Sequence, residues 1–262
     1  MKPLRASLPF LAFLAVAAWT FVAGASALAQ PPAPRPVTVR FLFLEEEFGG
    51  YYFRVGETFQ KIGDTPYVIS GPQLVPAGEP VRLFKDYPDP KTGMPARTEI
   101  LSVKPPATAV SALVVVKAQT TTSAESGRPA YQATFYNSDT SAFPAGSLRI
   151  INLGRSDLVA RFGTEQLTLS PTKIRIVKPT FDARRRVRTY VGAALPGGGW
   201  QLIYDSITSL RPDQRMTGVL VYSPSGMRHT HRAEDLAEGL VLKPGHFWLT
   251  YSETPPPPPP AG

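Results

Sequence analysis

Apolar residues occur along this chain in short runs bounded by Gly, Pro, Asn and Asp. The runs recur about every ten residues and are rich in β-branched and aromatic side chains; they include 37–44, 110–116, 131–136, 148–153, 200–204, 219–222 and 247–251. Segments 167–170 and 173–178 alternate apolar with polar residues, which is the period of a half-buried strand. Segment 110–116 is apolar on both faces and indicates a central strand.

A helical pattern is limited to residues 231–238, which end before Gly239. The many short strands predict an all-β protein. We expect an antiparallel β-sandwich of one or two packed modules, with one short helix near the C-terminus.

The N-terminal residues have the pattern of an export signal. Lys2 and Arg5 precede a long uncharged apolar stretch, and residues 27–29 supply a small-x-small cleavage site. We expect residues 1–29 to be removed, and no other segment is apolar enough to span a bilayer. The mature chain is then extracytoplasmic, in the periplasm or secreted. The alternative is an uncleaved anchor, because about 20 apolar residues can cross a membrane.

Composition divides the rest of the chain. Residues 30–36 form a Pro-rich spacer, 37–118 an N-terminal β module, 131–253 a C-terminal β-sandwich module, and 254–262 a poly-Pro tail that favours polyproline II. The polar segment 119–130 is either a linker between domains or a long hairpin loop. Pro-Ala-Gly occurs at 76–78 and 144–146, each time before a strand, which fits either two related modules or one turn type used twice.

The segment 143–153, with sequence FPAGSLRIINL, resembles a strand-entry signature of secreted bacterial β-sandwich proteins. The resemblance covers residues 140–223. It implies a small Ig-like or cupredoxin-like module outside a cell, and it carries no catalytic residues. A cupredoxin copper site requires a Cys, which this chain lacks.

The charge balance and the absence of Cys restrict the function classes. Lys and Arg number 28 against 20 Asp and Glu, so the formal charge is +8, and there is no Cys. Disulfides, zinc-thiolate sites, iron–sulfur clusters and Cys nucleophiles are therefore excluded. No Gly-x-Ser-x-Gly motif follows the signal, so we predict no enzyme activity and no cofactor. The acidic run 45–47 is expected to be a solvated turn.

The run 184–188, with sequence RRRVR, is the densest group of positive charges. On a strand, Arg184, Arg186 and Arg188 share one face, where guanidinium groups can bind phosphate or carboxylate. Outside a cell the matching partner is an anionic envelope polymer, and nucleic acid is not expected because no nucleic-acid motif is present. The alternative is an edge strand whose charges prevent aggregation.

The histidines form the other candidate site. His229 and His231 point to the same side if they lie on a strand, and with His246 and either Glu234 or Asp235 they could bind a metal ion. The alternative is that they are surface histidines beside the start of a helix.

Taken together, these patterns predict an exported cell-envelope or secreted protein that acts as a non-catalytic binding or structural module. Its expected partner is an anionic surface polymer or another envelope protein. The alternative is an extracytoplasmic metal-binding protein or hydrolase that uses the C-terminal histidines. The oligomeric state stays open.

Overall fold

The computed structural model describes residues 35–45, 49–89, 91–106, 108–122, 128–226 and 243–255. Within these ranges the chain forms strands and no helix, which confirms the all-β class. The strands are β1 (Pro36–Leu44), β2 (Tyr51–Val55), β3 (Thr58–Gly63), β4 (Gln73–Pro76), β5 (Val81–Pro88), β6 (Pro95–Val103), β7 (Ser111–Thr122), β8 (Pro129–Asn137), β9 (Leu148–Leu153), β10 (Leu158–Phe162), β11 (Glu165–Leu169), β12 (Ile174–Val177), β13 (Arg186–Ala194), β14 (Trp200–Ser209), β15 (Arg215–Ser223) and β16 (Gly245–Glu253).

Three of the expected segments cannot be placed. The signal 1–29, the helix 231–238 and the tail beyond residue 255 lie outside the described residues. A helix long and apolar enough to cross a membrane is not found in the described part of the chain.

The strands form four four-stranded sheets. Sheet 1 has the order β4-β1-β7-β8, sheet 2 β3-β2-β5-β6, sheet 3 β12-β9-β15-β16 and sheet 4 β11-β10-β13-β14. Neighbouring strands are antiparallel as expected, except that β1 with β7 and β9 with β15 are parallel. Both exceptions pair the two central strands of a sheet, which are buried on both faces, and this is the usual environment of parallel strands.

The second eight strands repeat the arrangement of the first eight. Adding eight to each strand number in sheets 1 and 2 gives sheets 3 and 4. We call β1–β8 the N-terminal half and β9–β16 the C-terminal half. The two Pro-Ala-Gly turns do not mark this repeat, because 76–78 precedes β5 whereas 144–146 precedes β9, the equivalent of β1.

The polar segment 119–130 lies between two strands of one sheet. Residues 119–122 extend β7, and Thr122 is in register with Pro129 at the start of β8. Strands β7 and β8 are therefore antiparallel neighbours joined through this segment, of which residues 123–127 lie outside the described ranges. The N-terminal half ends with β8 at Asn137, and β9 begins at Leu148.

Three hydrophobic clusters join the sheets. The first joins sheets 1 and 2, the second joins sheets 3 and 4, and the third joins sheets 1 and 3. Strand β1 contributes to two clusters, because Val39 and Phe41 face sheet 2 whereas Leu42 and Leu44 face sheet 3. Full burial of such a side chain contributes about 1.5–3 kcal/mol. The core must supply the stability of a chain that has no Cys.

Two cavities flank the third cluster. The first is lined by residues from the beginning of β1 and β15, including Arg40 and Arg215. The second is lined by residues at the ends of the same strands, including Leu44 and Val221. The space between sheets 1 and 3 is therefore filled by apolar residues in the middle, and polar residues line a cavity on either side of them.

Candidate anion-binding site

Three arginine side chains line the first cavity, which has a volume of about 200 Å³. Arg40 lies on β1, Arg149 on β9 and Arg215 on β15. Leu148 and Ile150, the neighbours of Arg149, belong to the cluster between sheets 3 and 4. Because successive side chains of a strand point to opposite faces, Arg149 points into the space between sheets 1 and 3. The cavity is thus reached by guanidinium groups from three strands.

One carboxylate binds two of these arginines. Glu253 is the register partner of Arg215 across β15 and β16. Arg215 Nε donates to Glu253 Oε1 at 2.9 Å, and Arg40 Nε donates to Glu253 Oε2 at 2.7 Å. Arg215 Nη1 also donates to the carbonyl of Phe143 at 2.7 Å, and Arg40 Nη1 to that of Ser70 at 3.2 Å. These additional bonds are what a buried ion pair needs to offset its loss of hydration.

Arg149 is 2% exposed, and its hydrogen bonds go to neutral acceptors. Its Nε and Nη2 donate to Thr217 Oγ1 at 3.2 and 3.0 Å. Its Nη1 donates to Ser138 Oγ at 2.8 Å and to the carbonyl of Asn137 at 3.1 Å. Within the described residues it forms no ion pair with a carboxylate. A buried charge without a paired counter-charge is unfavourable, so Arg149 is the group that most needs an anion.

Burial lowers the proton affinity of both enclosed arginines. It lowers the pKa of Arg149 to about 10, and the positive charge of Arg215 acts in the same direction while Glu253 opposes it. Burial also lowers the pKa of Arg215, again opposed by Glu253. A group with a pKa of about 10 is still protonated at neutral pH. The cavity therefore holds three cations under physiological conditions.

A buried phenyl ring keeps two of the cations in place. Phe143 lies in the connection that precedes β9 and is inaccessible to solvent. The guanidinium carbons of Arg149 and Arg215 lie 4.5 and 4.7 Å from its ring centroid. Such cation–π contacts contribute about 0.5–2 kcal/mol each, but they supply no counter-charge.

Part of the cavity lining is exposed, so a ligand can enter there. Pro72 and Thr254 are exposed and belong to its lining, and the side chain of Arg40 is 18% exposed. Arg40 and Arg215 use their Nε and Nη1 groups for hydrogen bonds to the described residues. Among these residues, Nη2 of each arginine has no acceptor, so it can donate to a ligand. Guanidinium donors of this kind bind phosphate and carboxylate. With three guanidinium groups and one carboxylate, the lining has an excess of two positive charges.

A second group of buried charges lies beyond the other end of β1, and among the described residues it is balanced, with one carboxylate for one ammonium group. Lys85 Nζ lies 2.8 Å from Glu45 Oε2, and the two side chains are 1% and 5% exposed. Tyr131 Oη donates to Glu45 Oε2 at 2.8 Å, Tyr51 Oη donates to Oε1, and Tyr87 shares a hydrogen bond with Tyr131. Burial, and then the charge of Glu45, raises the pKa of Tyr131 well above its ordinary value. The expectation of a solvated turn is therefore wrong for Glu45.

The arginine run 184–188 does not form the expected row of three. The strand β13 begins at Arg186, so Arg184 lies before it in a turn. Arg186 pairs with Asp182 at 2.9 Å, and Arg188 pairs with Asp205. The alternative of an edge strand is wrong, because β13 lies between β10 and β14. Both strand arginines are thus compensated by acidic partners.

Of the predicted histidine site, only His246 lies within the described residues, and His229, His231 and their acidic neighbours lie outside them. His246 Nε2 accepts a hydrogen bond from the backbone N–H of Arg155 at 3.3 Å. Burial, and then the charge of Arg155, lowers the pKa of His246. Arg155 and Tyr222 line the second cavity, which has a volume of about 580 Å³. In the described ranges, no three His, Cys, Asp or Glu side chains are close enough to hold a metal ion.

The sequence predictions did not include the cavity arginines, although the sequence contains a signal for two of them. Arg40 and Arg149 are the charged residues of two largely apolar runs, VTVRFLFL and LRIINL. A charged residue in a strand buried on both faces is itself buried, and it then needs a partner or a ligand. Arg215 gives a weaker signal, because polar residues precede it along the chain.

The arrangement is chemically suited to holding an anion. Its donors are charged, are fixed by neighbouring hydrogen bonds and are largely shielded from water, which strengthens their attraction for a negative group. Neither the models of known protein families nor the curated proteins give a match for this chain.

Proposed function

We propose that this chain is an exported, non-catalytic binding protein of the cell envelope, and that it binds an anionic group in the cavity of Arg40, Arg149 and Arg215. The observation that carries the proposal is the buried excess of positive charge around Arg149. The pattern of residues 1–29 supports export. The clusters that join sheet 1 to sheet 2 and sheet 3 to sheet 4 support a β-sandwich in each half.

The energetics favour a bound anion over an empty cavity. Hydration is the usual compensation for a guanidinium group, and Arg149 has lost nearly all of it. Neutral acceptors restore its hydrogen bonds but not the attraction of an opposite charge. An anion in the cavity would supply that attraction in surroundings of low polarity, where it is strongest.

The expected partner, an anionic envelope polymer or envelope protein, is compatible with such a site. We place the contact at the cavity instead of at the run 184–188. Arg186 and Arg188 have acidic partners of their own, whereas Arg149 has none among the described residues. The partner would present a negatively charged group to the side of the cavity beside Thr254.

The proposal is tested by stabilisation with small anions. The purified protein is unfolded by heat at constant ionic strength in chloride, acetate, succinate, sulfate or phosphate. A ligand that binds only the native state at a hundredfold excess over its Kd stabilises it by about 2.7 kcal/mol. Compared with chloride, we expect at least one of the other four anions to raise the unfolding temperature by roughly 5 °C.

Two single variants provide the matched comparison. Arg149→Met removes the buried charge and keeps a long apolar side chain, whereas Arg184→Met removes a charge from the turn before β13. We expect the first variant to lose the stabilisation and the second to keep it. The proposal fails if no anion exceeds chloride, or if Arg149→Met responds to anions as the unmodified protein does.

A further inference from the structure

We infer that the bound anion is a dianionic phosphate group, either free phosphate or the terminal phosphate monoester of a larger molecule, held between Arg40, Arg149 and Arg215. This inference depends on the proposed anion-binding function and narrows it to one class of ligand.

The charge of the lining favours a dianion. Three guanidinium groups face the cavity and Glu253 is the carboxylate among its lining residues, so the lining itself has two positive charges left over. Asp139, which acts on Arg215 from outside the lining, already accepts hydrogen bonds from the backbone N–H groups of Val110 and Ser111. A phosphate monoester has a charge of about −1.5 to −2 at neutral pH. A single carboxylate or a phosphodiester has one negative charge and would leave half of the excess uncompensated.

The directions of the donors favour a group with three acceptor oxygens. Arg40, Arg149 and Arg215 belong to three strands, and two of those strands, β1 and β9, lie in different sheets. Their hydrogen bonds to Glu253, Thr217 and the neighbouring carbonyls fix them around the cavity from different sides. The three terminal oxygens of a phosphate monoester can meet three such donors, whereas a carboxylate has two oxygens in one plane.

The exposed part of the lining favours a terminal group. The cavity has a volume of about 200 Å³, which is ample for a phosphate group, and Pro72 and Thr254 are the exposed residues of its lining. The rest of a larger ligand would extend outward beside these two residues. A monoester has one substituent to place there, whereas a phosphodiester has two.

The experiment measures binding by calorimetry at constant ionic strength, with inorganic phosphate, glycerol 3-phosphate, dimethyl phosphate, acetate and succinate as probes. We expect the first two to bind at least about tenfold more tightly than the other three, because one charge-assisted hydrogen bond is worth about that factor. Binding of both monoester and free phosphate assigns a terminal phosphate group. Binding of inorganic phosphate alone assigns the free ion, and either result supports the inference.

A pH series separates the ligand's charge from that of the protein. The protein also has charged and titratable groups around the cavity. They are Arg40 on β1, Arg149 on β9, Arg215 on β15, and Tyr251 and Glu253 on β16. In addition, Asp139 interacts electrostatically with Arg215, and Tyr136 with Arg149. Sulfate reports on these groups, because it remains a dianion across the range. Glycerol phosphate should bind about tenfold more weakly at pH 5 than at pH 7, because its second pKa is near 6. The affinity for sulfate should not fall with it.

A variant at the mouth of the cavity tests the charge count. Arg40→Met removes one positive charge, so the affinity for inorganic phosphate should fall about tenfold or more and that for acetate should fall less. Arg40→Lys keeps the charge and should restore part of the preference. The inference is overturned if acetate, succinate or dimethyl phosphate binds as tightly as phosphate, or if the pH series is flat for glycerol phosphate. Should none of the probes bind, the proposed anion-binding function itself fails.

Discussion

Strand β1 lies between two buried charge clusters that differ in their balance. Just beyond its end, Glu45 and Lys85 form one ion pair, and tyrosine hydroxyls complete the hydrogen bonds of the carboxylate. In the middle of β1, Arg40 shares the carboxylate of Glu253 with Arg215, and the hydrogen bonds of Arg149 go to neutral acceptors. Among the described residues, the first cluster therefore has one carboxylate for one cation, whereas the second has one carboxylate for three cations.

The difference shows how a buried charge can be assigned a role. Burial alone does not separate the clusters, because Lys85 and Arg149 are both almost inaccessible to solvent. What separates them, among the described residues, is that Lys85 forms an ion pair with a carboxylate and Arg149 does not. A balanced cluster contributes to the specific packing of the core, and an unbalanced one is a candidate for ligand binding.

The largest effect is expected from Lys85→Met, which breaks the balanced cluster. The carboxylate of Glu45 would then be buried without its cation, and the loss of one partner of such a pair costs about 3–5 kcal/mol. Urea unfolding should show this decrease in the free energy of unfolding. Lys91→Met, at an exposed lysine, is the matched control and should leave the free energy nearly unchanged.

The double variant Glu45→Gln with Lys85→Met sharpens the assignment. Removing both charges should recover a large part of the stability, because neither member of this pair is then left buried without its partner. If the double variant is as unstable as the sum of the two single variants, the pair is not the source of the effect. Glu45 and Lys85 could then no longer be described as a balanced buried pair, and the comparison of the two clusters would fail.

A smaller effect on stability is expected from Arg149→Met when no binding anion is present. The variant loses hydrogen bonds to Thr217 and Ser138, but it also removes a charge whose burial is unfavourable. The two contributions oppose each other, so we expect the free energy of unfolding in chloride to change by about 1 kcal/mol or less. A decrease as large as that of Lys85→Met would identify Arg149 as a structural group and would break the comparison.

The strands themselves could be predicted because their signal is local. The alternation and β-branched content of 37–44, 148–153 and 219–222 predict β1, β9 and β15 from neighbouring residues alone. The strand order could not be predicted in this way. The parallel pairing of β1 with β7 depends on contacts such as Arg40 with Leu113, which are far apart in the chain.

The site was only partly accessible from the sequence for the same physical reason. That Arg149 is buried follows from the apolar residues around it. That it lacks an acidic partner does not, because Glu253 reaches Arg40 across 213 positions of the chain and leaves Arg149 to neutral acceptors. The run 184–188 stands out in the sequence, but the density of positive charge there does not indicate that Asp182 and Asp205 pair with two of its arginines.

The smallest effect on stability is expected from protonation of His246. Glu45 of the balanced cluster and Arg155 both line the second cavity, and His246 accepts a hydrogen bond from the backbone N–H of Arg155. Burial and the charge of Arg155 lower the pKa of His246 below its ordinary value of about 6.5. The unfolded chain therefore takes up the proton first as the pH falls, so the native state loses stability from about pH 6.5 downwards. The histidine is partly exposed, and solvent screening limits the loss to less than about 1 kcal/mol.

Urea unfolding between pH 7.5 and pH 5 tests this for the unmodified protein and for His246→Asn. The asparagine cannot take up a proton, so the decrease in stability with falling pH should be smaller in the variant. Subtracting the two curves removes the contribution of all other groups, which both proteins share. Identical curves would mean that protonation of His246 adds no unfavourable charge beside Arg155. In that case, lowering the pH would not create a second site of excess positive charge around Arg155.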